Sequence, residues 1–263
     1  MRTTAKVNDG QLVSYIDYGG TGPAVLLLHS FLMDADMFAP QVESLGDTFR
    51  LIAMDERGHG GTPADRPFTY WDVARDALGL LDALEVPRCA VVGTSQGGFI
   101  AMRMALLAPD RVAALALLGT SATAENPEVA AGYRQLAAAW REHGPTQELL
   151  DLNATICLGQ YDSTEWQAKW RRLSGEHFDR VLTPLVERDG VLDRAPEIRC
   201  PALVLHGSTD AAYPVDRARE LAEALPNAES PVIVDGGAHF LSLTDAGAVN
   251  PHLRAFLGRS GLA

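Results

Sequence analysis

Ser95 lies in Gly93-Thr94-Ser95-Gln96-Gly97-Gly98, between the apolar run CAVVG and the helical stretch FIAMRMALLA. A serine on a sharp strand-to-helix turn is held exposed and strained, and residues two before and two after it must be small because side chains there would collide across the turn. The following helix adds its positive N-terminal end beside the hydroxyl. A free serine is a poor nucleophile, so this arrangement predicts acyl transfer only if a neutral imidazole accepts its proton and a carboxylate fixes that imidazole's tautomer. Of the seven histidines, His239 alone stands in a glycine-flanked loop, GGAHF, directly after the last apolar run. Asp210, in HGSTDAAYP after the penultimate run, gives the order Ser, Asp, His along the chain. Glu125 and Asp235 are the competing acids: Glu125 follows the strand ending at Leu118, whereas Asp235 is tethered only four residues before His239. The developing oxyanion needs two backbone donors. The N–H of Gln96, next to the nucleophile, and that of Phe31, in the loop after AVLLLH, fill this role, with His29 shaping the same loop.

The elements that must carry these residues are short apolar runs alternating with segments of helical period, the pattern of βα units on a mostly parallel sheet. Strands are expected at about residues 12–18, 24–29, 50–55, 89–93, 112–118, 201–206 and 231–235, and helices at 71–85, 96–108, 215–224 and 246–257. The non-alternating, leucine-rich and β-branched runs suit strands covered on both faces. From Ser121 to Arg194 the rhythm breaks, with helical patches such as Val129–His143 and Thr164–Leu173 and no strand, which reads as a helical insertion. Trp140 and Trp166 are taken as candidates for an apolar substrate pocket, although Trp166 and Trp170 have the spacing of a packed helix face. Ser30 is a further candidate for contact with substrate.

At 263 residues and 47% hydrophobic, the chain is long enough for one sizeable core carrying an insertion. A net charge of −12 argues against nucleic acid or an anionic membrane as partner. The start, MRTTAKVNDG, has no apolar secretory signal, so a cytoplasmic protein is expected. Three widely spaced cysteines outside any ligand motif imply neither a disulfide framework nor a zinc site. No metal or cofactor is required by the expected chemistry, the expected partner is a small-molecule substrate, and a homodimer is left open.

Five segments in order, HSF (29–31), MDERGHG (54–60), GTSQGG (93–98), HGSTD (206–210) and GGAHF (236–240), resemble the α/β-hydrolase superfamily over nearly the whole chain. Within it the chain looks like capped bacterial esterases and lactonases, similar to 3-oxoadipate enol-lactonases, cofactor-free haloperoxidase-type esterases and carbon–carbon bond hydrolases. The resemblance implies an α/β-hydrolase fold: a mostly parallel, doubly covered sheet with a helical cap inserted after the sixth strand, the one ending at Leu118. Residues 1–120 and 195–263 would form the core and 121–194 the cap. It also assigns Asp55, Arg57 and His59 to a loop that supports the fold. Ser30 replaces the glycine usual after the first histidine, and Gln96 stands where methionine is frequent. The implied activity is cleavage of a carboxylic ester or lactone through an acyl-enzyme. The alternatives are a carbon–carbon hydrolase using the same three residues and a non-catalytic ligand receptor on the same scaffold.

Overall fold

The computed structural model describes residues 1–260, so the last three residues of the expected core segment lie outside the described residues. One eight-stranded sheet organises the chain, in the order β1-β2-β4-β3-β5-β6-β7-β8. Its members are β1 (Arg2–Val7), β2 (Gln11–Asp17), β3 (Ala24–Leu28), β4 (Arg50–Met54), β5 (Cys89–Thr94), β6 (Val112–Leu118), β7 (Ala202–Gly207) and β8 (Val232–Val234). β1 pairs antiparallel with β2 and β2 with β4, while every pairing from β4 to β8 is parallel. All residues of β5, β6 and β7 are buried. Because successive side chains on a strand point to opposite faces, such burial requires helices on both sides of the sheet.

Those helices are α1 (Ala39–Leu45), α2 (Tyr70–Ala83), α3 (Gln96–Leu107), α8 (Asp216–Ala224), α9 (Leu241–Thr244) and α10 (Ala246–Arg259). A reciprocal capping box starts α2, with Thr69 accepting from the Asp72 N–H and Asp72 accepting from the Thr69 N–H. Between β6 and β7 the chain leaves the sheet and forms α4 (Pro127–His143), α5 (Gln147–Leu158), α6 (Thr164–Trp170) and α7 (Gly175–Val186). The Val191 N–H donates to the Ala122 carbonyl at 2.7 Å, drawing the two ends of this insertion together. Among the described residues no helix is long and apolar enough to cross a membrane.

The expected strands and core helices are present, with ends displaced by at most two residues. β1, α1 and α9 are additions that the sequence reading does not contain, and for β1 the reason is plain. Its sequence RTTAKV is exposed along most of its length, so this antiparallel edge strand carries no apolar run by which sequence could reveal it.

Candidate active site

Ser95 sits between β5 and α3 with φ +50° and ψ −109°, one of three non-glycine residues at positive φ among the described residues. Such a conformation costs about 1–3 kcal/mol and persists only where neighbours impose it. Here the Ser95 N–H donates to the Leu118 carbonyl at 2.8 Å, and Thr120 Oγ1 donates to the Ser95 carbonyl at 2.8 Å. The flanking glycines have steric reasons: a Cβ on Gly93 would lie 2.4 Å from the Gly97 backbone, and one on Gly97 only 2.1 Å from the Leu28 carbonyl.

The loop after β8 carries His239 to the same sheet edge, where its Nε2 accepts from Ser95 Oγ at 2.9 Å. Its Nδ1 donates to Asp210 Oδ2 at 2.8 Å. The Phe240 N–H, donating to the Cys157 carbonyl of α5 at 3.0 Å, anchors this loop to the insertion. Asp210 Oδ1 accepts from the N–H groups of Ala212 (2.8 Å) and Tyr213 (2.9 Å). Burial pushes the Asp210 carboxyl up, but the adjacent His239 ring, its hydrogen bond and the Tyr213 N–H outweigh burial and hold it below the ordinary carboxylate value. Ser95, His239 and the Asp210 side chain are all at least 95% buried, being 4%, 4% and 1% exposed. The competing acids go elsewhere. Glu125 pairs with Arg188 at 2.9 Å, and Asp235 accepts from Ser208 Oγ at 3.3 Å. His206 takes a supporting position, donating from Nε2 to the Tyr213 carbonyl at 3.0 Å.

The loop after β3 carries Phe31, whose ring stands edge-on to His59 and Phe178. His29 donates from Nδ1 to the Ser30 carbonyl at 2.8 Å and accepts the Glu56 N–H at Nε2 at 2.9 Å, a shaping role without access to Ser95. Neither the Phe31 nor the Gln96 backbone N–H donates to any described residue. Ser30 corrects the expectation of substrate contact: it is fully buried and donates from Oγ to the Thr94 carbonyl at 3.0 Å, fastening the loop to the strand that ends at the nucleophile.

Trp140 is a second correction. It is fully buried in the insertion, stacked on Phe178 with centroids 4.6 Å apart and donating from Nε1 to the Leu173 carbonyl at 3.0 Å. It therefore packs α4 against α7 and presents no face to a ligand. Trp166 lies under the Lys169 ammonium, 4.3 Å from its ring centroid, and Lys169 in turn bridges Asp34 and Asp36. Trp170 ties the insertion to the same loop, its Nε1 donating to the Leu32 carbonyl at 2.8 Å. A cleft of about 610 Å³ opens beside this tie, between Leu32–Asp36, Gly58–Pro63 and the Lys169–His177 segment. Its lining includes neither Ser95 nor His239, so it is a lateral opening and not the space in front of the nucleophile.

A polar group missed in the sequence sits behind Gln96. Glu56 is fully buried and accepts from Gln96 Nε2, while Gln96 Oε1 accepts from the Tyr70 hydroxyl at 3.0 Å. Glu56 Oε1 has no partner among the described residues. Its neighbours in MDERGHG have the supporting roles the resemblance implied: Asp55 binds the Ala35 N–H, and Arg57 pairs with Asp76. Burial raises the Glu56 carboxyl to about 7, from 4.5. Since the folded value is the higher one, the stability contribution is present below 4.5 and lost as pH rises through about 7. Glu56→Gln is thus expected to lose less stability than the parent between pH 5 and 8, by on the order of 3 kcal/mol. Denaturant unfolding of both proteins at the two pH values measures this, and identical pH dependence would refute it. Among the described residues no group of three or more His, Cys, Asp or Glu side chains is placed to hold a metal ion.

A family described as the alpha/beta hydrolase fold matches residues 23–156, and one described as TAP-like protein matches residues 184–262. A putative carbamate hydrolase of Variovorax paradoxus is 31% identical, covering 90% of this chain and 92% of that protein. The pimeloyl-[acyl-carrier protein] methyl ester esterase of Chromobacterium violaceum is 32% identical over 81% of this chain and 86% of its own. The solved structure of the enol-lactonase from Burkholderia xenovorans LB400 superposes with a TM-score of 0.88 at 28% identity, covering 98% of this chain and all of that one.

Proposed function

The chain belongs to the alpha/beta hydrolase fold family, and from that premise we propose that it cleaves a carboxylic ester or lactone through an acyl-enzyme on Ser95. The observation that carries the reading is the unbroken chain of hydrogen bonds from Ser95 Oγ through His239 to Asp210.

Ser95 Oγ attacks the substrate carbonyl carbon while its proton passes to His239 Nε2. The Phe31 and Gln96 N–H groups receive the oxyanion of the tetrahedral intermediate. Collapse breaks the bond to the leaving alkoxide, which takes the proton from His239, and leaves the acyl group on Ser95. Water then gives its proton to His239 as it attacks the acyl carbon, and a second collapse frees the carboxylic acid and restores the serine. Asp210 stays ionised throughout, stabilising the imidazolium. Residues 121–194 serve as a cap that closes over the acyl group, in keeping with the bond from Phe240 to the Cys157 carbonyl and the tie from Trp170 to Leu32.

The relatives named for ester, lactone and carbamate cleavage define the substrate panel. Purified protein is expected to turn over p-nitrophenyl esters or simple lactones with a burst equal to the enzyme concentration, and a serine-directed phosphonate to label Ser95. Cleavage confined to vinylogous diketones or to carbamates would overturn the ester and lactone assignment, and labelling elsewhere would overturn the nucleophile.

A further inference from the structure

Glu125, set aside above as an acid, lies at the neck of the insertion. It occupies the connection between β6 and α4, and Arg188 occupies the one after α7. Their side chains are 3% and 1% exposed. Arg188 also donates from Nε to the Thr123 carbonyl at 3.1 Å and from Nη1 to the Leu185 carbonyl at 2.7 Å, so its guanidinium joins the β6–α4 connection to the last turn of α7. A pair this deeply buried needs full hydrogen bonding to offset its desolvation.

Tyr213 completes it. Its hydroxyl donates to Glu125 Oε2 at 3.0 Å and accepts from Arg188 Nη2 at 3.2 Å. The same residue reaches both partners of Ser95: its ring stands edge-on to the His239 imidazole, with centroids 5.4 Å apart and an interplanar angle of 70°, and its N–H donates to Asp210 Oδ1 at 2.9 Å. Its carbonyl accepts from His206, which lies 3.2 Å from Asp210 Oδ2. In the turn that carries Asp210, Ser208, Thr209 and Ala211 are exposed and Ala212 is half-buried, although the Asp210 side chain itself is buried. Tyr213 fixes that turn to the protein interior.

We propose that Tyr213 is a positioning residue: clamped by the Glu125–Arg188 pair, it holds Asp210 and His239 in register with Ser95 and so ties the geometry of the base to the neck of the insertion. The proposal rests on the acyl-enzyme reading. It requires no contact between Tyr213 and substrate, so its loss acts on the chemical steps and leaves binding alone. Misplacement of reacting groups by a fraction of an ångström is enough to slow those steps severalfold.

Tyr213→Phe keeps the ring and removes only the hydroxyl. It is expected to lower kcat by about tenfold with KM within about twofold of the parent, and to slow phosphonate labelling of Ser95 in the same proportion. Glu125→Asp, which keeps the charge but withdraws the carboxylate from the phenol, should lower kcat by about threefold to fivefold, and by less than twofold once Phe already stands at 213. Parental kcat in Tyr213→Phe, a rise confined to KM, or fully additive losses in the double variant would each overturn the proposal. Should Tyr213→Phe fail to fold, the kcat-against-KM split of Glu125→Asp decides the matter alone. Ser95→Ala run in parallel separates the two readings: an inactive Ser95→Ala beside an unaltered Tyr213→Phe sinks only this proposal, whereas an active Ser95→Ala sinks the acyl-enzyme.

Discussion

Ser95→Ala is expected to reduce kcat on p-nitrophenyl esters by about 10⁶-fold and to abolish the burst, because removal of the nucleophile leaves His239 and Asp210 with no hydroxyl to activate. Under the proposed mechanism the residual rate is expected to be about 10³–10⁴-fold over the reaction in water, the share left to the backbone donors of Phe31 and Gln96. The fold should survive the change. What holds the turn is the backbone of Ser95, through Leu118 and Thr120, together with the close approach of Gly93 and Gly97. Single-turnover kinetics, phosphonate labelling and a melting curve of the variant make the measurement. Retention of more than a few per cent of the parental rate would rule out covalent catalysis at this serine.

Asp210→Asn is expected to lower kcat by about 10⁴-fold while leaving the protein folded. The hydrogen bonds of the carboxylate explain the size of the effect. Asp210 Oδ1 accepts two backbone N–H groups, from Ala212 and Tyr213, so in the variant the amide oxygen takes that position and the amide nitrogen is directed at His239. A donor facing Nδ1 forces the imidazole proton onto Nε2, where it opposes Ser95 Oγ and removes the base. Glu125→Gln and Asp235→Asn leave this tautomer untouched, and each should cost less than about tenfold. Steady-state kinetics on the three variants separate them. A loss of about 10⁴-fold in Glu125→Gln instead would move the acid to the neck of the insertion.

The placement of Ser95, Asp210 and His239 at one sheet edge is legible in the sequence because the constraints are local. The glycines around Ser95 answer to collisions within a few residues along the chain, and Asp210 and His239 follow apolar runs that could only be buried strands. The roles read less well are those decided by partners distant in the chain. Ser30 donates to a carbonyl 64 residues away, and nothing in HSF announces that its side chain turns inward. Trp140 has an aromatic side chain in a helical insertion, which fits a pocket wall as well as a packed interface. Only the stacked Phe178 decides between them. Glu56 lies between Asp55 and Arg57 in a strongly charged run, a composition typical of a solvated loop, and its complete burial depends on Gln96 and Tyr70, contributed by other segments. Glu125 was a plausible acid by position, yet its partners, Arg188 and Tyr213, lie 63 and 88 residues further along.

The bond between Val191 and Ala122 has a consequence for how such a chain diversifies. The bond joins the start and end of the four-helix excursion just beyond the carboxyl end of β6, and residues 192–201 then run back to the start of the parallel strand β7, so the neck is shut whatever lies beyond it. The entropy of closing a long excursion grows only logarithmically, about 0.6 kcal/mol for each doubling of length. Helices can therefore be lengthened, exchanged or transplanted past the neck at little cost to the sheet. A replacement insertion must keep its ties to the core, among them those from Cys157 to the Phe240 loop and from Trp170 to the Leu32 loop, and the rest of it is open to exchange by evolution or an engineer.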